Sequence, residues 1–330
     1  MPVSTGQRHR SRATIAVLHA EDRPPALEEH VSGAELRFAT AGTLADALPG
    51  CDVLLVWDFT SDAVRDAWPA ADAMRWVHTA SAGVDRLIFP GLVGSDVTLT
   101  NSRGVFDIPM AEYVLGLVLA FAKDLPRTLA QQARGEWQHR ETENVAGRCA
   151  VVVGGGPIGR AVAALLAAVG LRVPLVGRRA ADGVHGFDEL RGLLPDADFV
   201  VLAAPLTEAT RGLLDAAALR RLKPTARVIN VGRGGLVVQP DLVDALREGR
   251  IAGAALDVFE TEPLPADSPL WTMPNVIVSP HMSGDTVGWR ESLVELFADN
   301  LDRYRAGTPL RNVVDKTRGY VTNTTAGDPP

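Results

Sequence analysis

The chain has 330 residues, of which 46% are hydrophobic and 22% charged. That is the profile of a globular protein long enough to bury a large core without disulfides or metal, in about two domains. A formal net charge of -7 argues against sequence-independent nucleic-acid binding, which needs a net basic face. Arginine supplies nearly all the positive charge. The three lysines are Lys123, Lys223 and Lys316, and Lys223 precedes Pro224 in a loop with nothing to mark it as a Schiff-base residue.

Residues Met1–Arg12 are polar and basic and read as a disordered tail. The apolar run that follows, Ala13–Leu18, is too short for a signal peptide, and no run approaches the length of a membrane span. Strands are expected at Thr14–Leu18, Leu36–Ala39, Asp52–Trp57, Arg75–His78 and Val97–Thr100, with helices between them, for example around Ser61–Trp68. This alternation is the mark of a parallel sheet. The pattern then changes to a long helix, Ile108–Lys123, apolar on most sides. Asp107 is its expected N-cap and Pro109 falls in its first turn, where proline is tolerated. A helix apolar all round is expected to be buried. A second series follows from Cys149, with strands at Ala150–Val153, Arg172–Val176, Phe199–Ala203, Arg227–Val231, Gly253–Leu256 and Val276–Ser279. Six strands with intervening helices match a doubly wound dinucleotide fold. A last helix spans about Thr286–Arg305, and Lys316–Pro330 reads as a disordered tail. Cys51 and Cys149 have no neighbour at metal-ligand or redox spacing. They read as small buried hydrophobes in a reducing cytoplasm, and no metal is expected.

The first chemistry-bearing motif follows the strand Ala150–Val153. Gly154, Gly156 and Gly159 meet the G-x-G-x-x-G spacing, and a helix opens at once behind them. The first glycine permits a tight turn. The second lets backbone approach a pyrophosphate, and the third lets strand and helix pack closely. The helix N-terminus offers free N–H groups to the anion. A Walker A loop is excluded, because Arg160 and Ala161 stand where Lys and Ser or Thr are required. The next strand ends in Val176-Gly177-Arg178-Arg179, and no acid appears until Asp182. An NAD site places a carboxylate at this strand end, whereas a guanidinium pairs with a 2′-phosphate. Arg178 and Arg179 therefore predict NADP in preference to NAD.

Ligands of open α/β sheets bind beyond the carboxyl ends of the strands. There the later strands lead to Arg233, to Asp257 and Glu262, and to His281. An arginine, a carboxylate and a histidine on one sheet edge make an anion site with an acid/base pair, while each alone would read as a surface charge.

These residues carry a family resemblance. The glycine turn, INVGRGGLV at Ile229–Val237, GAALDVFETEPLP at Gly253–Pro265 and SPHMSGDT at Ser279–Thr286 together resemble the D-isomer-specific 2-hydroxyacid dehydrogenases. ASAGVD at Ala80–Asp85 resembles that family's substrate loop, NSRGVFDIPMAEYVLGLVLA at Asn101–Ala120 its interdomain segment, and APLTEATRGLL at Ala204–Leu214 a cofactor-side loop. The likeness runs from about Ile15 to Val314. It implies an α/β protein in which a Rossmann cofactor domain, residues 104–287, is inserted in a flavodoxin-like substrate domain, residues 1–103 and 288–330. By this resemblance Arg233 holds the substrate carboxylate and polarises the 2-keto oxygen, His281 is the general acid/base, and Glu262 is its paired carboxylate. Backbone N–H groups of Ala82 and Gly83 hold the substrate carboxylate. Gly154, Gly156, Pro157, Ile158, Gly159, Arg178, Arg179, Pro205, Val231 and Asp257 make the cofactor site, with Asp257 on the nicotinamide carboxamide. The long apolar helix is implied to lie at the hinge and at the interface of a homodimer.

The implied chemistry suits these groups. Hydride goes to C2 of a keto acid and a proton to its oxygen. A histidine gives and takes protons near neutral pH, and a neighbouring carboxylate favours its charged form. A preorganised arginine meets the charge that develops on the oxygen, best in a site dried by domain closure. Arg178, Arg179, Arg233 and His281 would make that site basic within an acidic protein.

Three positions depart from the common pattern: Gly232 where alanine is frequent, Gln239 where an acid is frequent, and Gly177 for the usual aspartate. The chain has no room for the regulatory domain of the serine-biosynthetic members. A formate dehydrogenase would carry Gln at the position of Glu262. The arginine strand end and the SAGVD loop resemble the glyoxylate/hydroxypyruvate reductase branch, hence a reductase of small 2-keto acids. The alternatives are a dinucleotide-sensing protein like the family's corepressors and the same chemistry on a keto-phosphonate. His9, His19, His30, His78, His139 and His185 lack the combination of strand-end context and motif that marks His281, although His78 lies close to the substrate loop. Trp289 reads as core packing.

Overall fold

A computed structural model describes residues 13–181 and 183–321. The expectations placed on Met1–Arg12, Asp182 and residues 322–330 lie outside the described residues. The chain divides into two compact units. One contains residues up to Val105 and from Val287 onward; the other runs from Phe106 to Thr286.

The first unit is built on five strands: β1 Thr14–Leu18, β2 Glu35–Ala39, β3 Val53–Val56, β4 Trp76–Thr79 and β5 Thr98–Thr100. They pair in the order β2-β1-β3-β4-β5, every pair parallel. This is the flavodoxin-like order. Parallel strands are covered on both faces, so they read as continuous apolar runs, and every residue of β3 is buried. The helix Trp289–Ala306 belongs to this unit. Its Phe297, Leu293, Val294 and Leu301 are buried, and Trp76 stacks on Phe297 and Tyr304 at 5.2 and 5.5 Å between ring centres. The Tyr304 hydroxyl donates to Asp52 Oδ2 at 2.8 Å.

The expectation of disorder from Lys316 is corrected for its first six residues. Val314–Asp315 pairs antiparallel with Tyr320–Val321. Between them Lys316 Nζ donates to the carbonyls of Leu92, Ser95 and Val97 at 3.1, 2.6 and 2.8 Å. Those carbonyls lie in and after the short helix Pro90–Val93, so the ammonium ties three main-chain acceptors of that segment to the end of the chain's described part. A polar composition gave no sign of this tie.

Among its described residues the second unit holds seven strands: β6 Ala150–Val153, β7 Leu175–Gly177, β8 Val184–Gly186, β9 Phe199–Leu202, β10 Arg227–Asn230, β11 Gly253–Leu256 and β12 Val276–Val278. Their order is β12-β11-β10-β9-β6-β7-β8, all parallel. This is the Rossmann order with one further strand, and the order reverses between β6 and β9, where dinucleotides bind. Six strands were expected; the seventh, β8, has three residues with His185 at its centre, too short for a hydrophobic pattern. The expected Arg172–Val176 strand starts later because Pro174 has no N–H to give to the ladder, although its carbonyl accepts from Val152 N at 3.0 Å.

The long helix is observed at Asp107–Ala122 with Phe106 as the cap residue and no side-chain cap bond. Asp107 is thus its first residue rather than its N-cap, and the carboxylate sits in the first turn, where it still favours the helix dipole. Burial on all sides is also corrected. Ala111, Val114, Leu117, Val118 and Ala122 are buried, the first four in one cluster with Val162 and Leu166 of the helix Pro157–Ala168. On the opposite side Ile108 is 62% exposed, with Glu112 and Gly116 exposed beside it.

Candidate active site

The glycine turn is shaped as its spacing implies. Gly154 follows β6 with φ of 139°, and a Cβ there would stand 2.6 Å from Ala203 O. A Cβ on Gly159 would overlap Gly154 O, so helix and strand meet backbone to backbone. A Cβ on Gly156 would meet nothing within 4 Å. This is the position where the motif needs open space for a ligand. The helix Pro157–Ala168 begins at Gly156 with Pro157 in its first turn, leaving the N–H groups of Ile158 and Gly159 toward that space. These residues fit a dinucleotide pyrophosphate. Arg178 and Arg179 follow β7 and are exposed. Gly177 is confined, since a Cβ would lie 3.0 Å from Val184 Cγ1; β8 crowds the place where an aspartate is usual. Pro205 follows β9 and is exposed, its carbonyl accepting from Thr210 Oγ1 at 2.7 Å. Val231 is buried and its N–H donates to Leu202 O at 3.0 Å.

Arg233 lies past the end of β10. Buried Asn230 forms its turn, taking a bond from Gly232 N at 3.1 Å and giving one to Arg233 O at 3.0 Å. The half-buried Arg233 donates through Nη1 to Gly232 O at 2.8 Å. The turn is packed without slack. A Cβ on Gly234 would overlap the backbone of Phe259 and Glu260, and one on Gly232 would stand 2.9 Å from Ala204 O. Glycine at 232, where the family that the sequence resembles often has alanine, suits this close packing.

His281 and Glu262 come together from two different loops. His281 Nδ1 and Glu262 Oε2 are 2.8 Å apart, and Phe259 N donates to Glu262 Oε1 at 2.9 Å. Burial opposes ionisation of Glu262. The His281 bond, the Phe259 N–H and the charges of His281 and Arg233 outweigh it and hold the carboxyl below its usual range. An ionised Glu262 only accepts, so Nδ1 carries the proton in this bond and Nε2 is the atom left to exchange protons.

His281 has a left-handed backbone, with φ of 55°, a conformation that costs of order 1–3 kcal/mol for a residue other than glycine. Asp257 holds it there. His281 N donates to Asp257 O at 2.8 Å. The Asp257 carboxylate, almost wholly buried, accepts from Ser279 Oγ at 2.6 Å, Met282 N at 3.0 Å and Ser283 N at 2.9 Å. Tyr113, half-buried on the long helix, lies beside Ser279 and Asp257, and burial pushes its phenol pKa up. Most of the acceptor capacity of Asp257, about four lone-pair sites, thus goes to the histidine turn rather than standing open for a cofactor. Asn230, Ser279 and Tyr113 were not singled out in the sequence. The first two had a signal, being polar residues at the ends of apolar strands.

In the first unit, the loop after β4 turns its carbonyls inward. Ser102 N donates to Ser81 O at 2.9 Å, Asn101 Nδ2 to Ala82 O at 2.6 Å and Ser81 Oγ to Gly83 O at 2.7 Å. Ala82 and Gly83 are half-buried, and their N–H groups donate to no acceptor among the described residues. Adjacent N–H groups left in this way suit an anion. Among the described residues no cluster of His, Cys, Asp and Glu is arranged to hold a metal ion, and no helix is long and apolar enough to cross a membrane.

Residues 115–283 match the family model described as D-isomer specific 2-hydroxyacid dehydrogenase, NAD binding domain. The chain is 32% identical to a D-3-phosphoglycerate dehydrogenase of Methanocaldococcus jannaschii over 85% of its own length, and spans 55% of that relative. A D-isomer specific 2-hydroxyacid dehydrogenase from Xanthobacter autotrophicus Py2, solved with NADPH and MES, is 34% identical, with a TM-score of 0.79 over 93% of this chain and 99% of that one. An NADPH-dependent glyoxylate/hydroxypyruvate reductase from Sinorhizobium meliloti, solved with NADP and sulfate, is 30% identical, with a TM-score of 0.80 over 93% of this chain and 100% of that one.

Proposed function

The chain belongs to the D-isomer specific 2-hydroxyacid dehydrogenases, an NAD(P)-dependent enzyme family, and from that premise we propose that it reduces a small 2-keto acid of the glyoxylate or hydroxypyruvate kind, using NADPH. The observation that carries this reading is the 2.8 Å pair of His281 and Glu262, with the charge of Arg233 acting on the same carboxylate.

The second unit is the cofactor domain and the first the substrate domain. Gly154, Gly156, Pro157, Ile158 and Gly159 take the pyrophosphate, with Pro205 and Val231 along the same strand ends. The remaining acceptor site of Asp257 serves the carboxamide. When bound, the nicotinamide supplies the hydride. Arg233 binds the substrate carboxylate and faces the oxygen on which negative charge develops. In the first unit the N–H groups of Ala82 and Gly83 are carboxylate-binding donors. His281 gives its Nε2 proton to that oxygen while Glu262 holds Nδ1, and solvent restores the proton. A keto acid, one hydride and one proton thus give the 2-hydroxy acid.

NADPH is favoured over NADH because Arg178 and Arg179 stand where a carboxylate would repel a 2′-phosphate. The S. meliloti relative named for NADPH, glyoxylate and hydroxypyruvate supports both choices. The two cysteines are buried free thiols, which suits a reducing cytoplasm. A homodimer accounts for large apolar residues left exposed on the Asp107–Ala122 helix and after it. Ile108 there, Leu129 of the next helix and Trp137 beyond it are 62%, 64% and 98% exposed. A spectrophotometric screen of 2-keto acids with both cofactors tests the assignment. Turnover with NADPH at a lower KM than NADH is expected. Tight NADPH binding without turnover of any keto acid would refute it and favour a sensor.

A further inference from the structure

Away from Arg233, Glu262 and His281, a buried polar chain runs beneath the loop Ala80–Val84. His78, on β4, is fully buried and lies opposite Thr100 in the β4–β5 register. Its Nδ1 is 2.8 Å from Thr100 Oγ1, and its Nε2 is 3.3 Å from Ser102 Oγ. Phe297 and Trp76 cover the ring at 5.5 and 6.0 Å between centres. Burial pushes its pKa down to about 3, so the ring is neutral and one nitrogen bears the proton.

The partners decide which. Ser102 Oγ donates to Thr79 O at 2.9 Å, so its hydroxyl proton is committed and it accepts from His78 Nε2–H. Nδ1 then accepts from the Thr100 hydroxyl, and Thr100 in turn accepts from Trp76 Nε1–H at 2.8 Å. Every donor along Trp76, Thr100, His78 and Ser102 points the same way and ends on the carbonyl of Thr79. A second leg continues from that residue. Ser81 Oγ is committed to Gly83 O, so Thr79 Oγ1 donates to Ser81 Oγ at 3.0 Å. Ser102 also holds Ser81 O through its own N–H. The backbone of Asn101 is fixed from the other side, where Asn312 Nδ2 donates to the carbonyls of Asn101 and Arg103 at 3.2 and 2.8 Å.

We propose that His78 is a positioning residue for substrate. Through Ser102 it sets the loop so that the Ala82 and Gly83 N–H groups project toward the keto-acid carboxylate. The inference rests on the reading of that loop as the carboxylate site. A neutral ring with one donor and one acceptor, sealed by aromatics, is what a fixed one-way chain needs. A titrating residue at this place would reverse it.

Two amides separate the halves of the ring. In His78→Gln the side-chain NH2 takes the place of Nε2–H and keeps the Ser102 bond. In His78→Asn the oxygen takes the place of Nδ1, keeping Thr100 and losing Ser102. KM for glyoxylate and hydroxypyruvate is measured at saturating NADPH for the wild type, both variants and Ser81→Ala. Loss of one ordering hydrogen bond is expected to raise the keto-acid KM about tenfold in His78→Asn and Ser81→Ala, and less than about threefold in His78→Gln. KM for NADPH should stay within about twofold and kcat should change less than the keto-acid KM, the mark of lost ground-state binding. If His78→Asn fails to fold, Ser81→Ala and His78→Gln decide. Wild-type KM in all variants would overturn the relay, as would a rise in NADPH KM parallel to that for keto acid, which a merely structural role produces. Absence of turnover by the wild type would instead overturn the reading on which the relay rests.

Discussion

Acid should weaken the first unit through His78 in a way that can be calculated. The perturbation is pH, and the control is His78→Gln, which keeps a polar side chain but cannot titrate. In the unfolded chain His78 gains a proton near its ordinary 6.5, while in the folded protein it does so only near 3. Between those values the unfolded state binds more protons, so stability rises with pH across the window and is level above it. One pKa unit is worth about 1.36 kcal/mol. The linked loss is therefore about 2 kcal/mol at pH 5 and about 3 kcal/mol at pH 4, relative to pH 7. For a folded chain stable by roughly 5–15 kcal/mol this is a large fraction. Urea unfolding of both proteins at the three pH values reads it directly, and subtracting the variant removes titration common to both. The wild type should lose that much more stability than the variant as pH falls. Parallel pH profiles for the two proteins would refute the account of a buried neutral histidine.

Three further outcomes follow from the second unit. Gly234→Ala drives a methyl into the backbone of Phe259 and Glu260; a stability loss of at least about 1–3 kcal/mol is expected, with kcat falling because the Arg233 turn and the Glu262 loop are forced apart, checked by melting and steady-state kinetics. Asp257→Asn turns an NH2 toward one of the donors from Ser279, Met282 and Ser283. That leaves a buried donor unpaired, costs about 1–3 kcal/mol, and should lower kcat more than it changes the NADPH dissociation constant. Glu143 receives two bonds from Arg227, at 3.0 and 2.6 Å, and that pairing lowers its pKa from the ordinary 4.5. Its stabilisation is present above pH 4.5 and lost as pH falls through the lower folded value. Urea titrations of Glu143→Gln should therefore show a deficit at pH 7 that shrinks in acid.

The parts of this molecule legible in the sequence are those where the backbone itself imposes a residue type. The glycine turn is one, since Gly154 needs a positive φ and Gly159 needs to have no Cβ. The apolar runs of β6 and β9 are another, because strands buried on both faces admit little else. The ends of β10, β11 and β12 point to Arg233, Glu262 and His281 through residue type and position along the chain. What stayed hidden depends on register and on main-chain donors. The clamp on Asp257 includes the N–H groups of Met282 and Ser283, which no side chain announces. His78 meets Thr100 and Ser102 only because β4 and β5 pair in one register, and a lone histidine on an apolar strand gives no hint of it. Lys316 looked like part of a polar tail because the carbonyls it satisfies lie more than two hundred residues earlier.

In the function proposed above, His281, oriented by Glu262, gives the proton that completes reduction of a 2-keto acid. The most direct measurement compares single-turnover oxidation of bound NADPH by glyoxylate or hydroxypyruvate in the wild type and His281→Ala, with NADPH affinity determined on the same samples. NADPH affinity is expected to stay within about twofold while the reduction rate falls by roughly 10²–10⁴-fold, the range of a lost general acid. A variant that reduces the keto acid at near-wild-type rate across the pH range would contradict it.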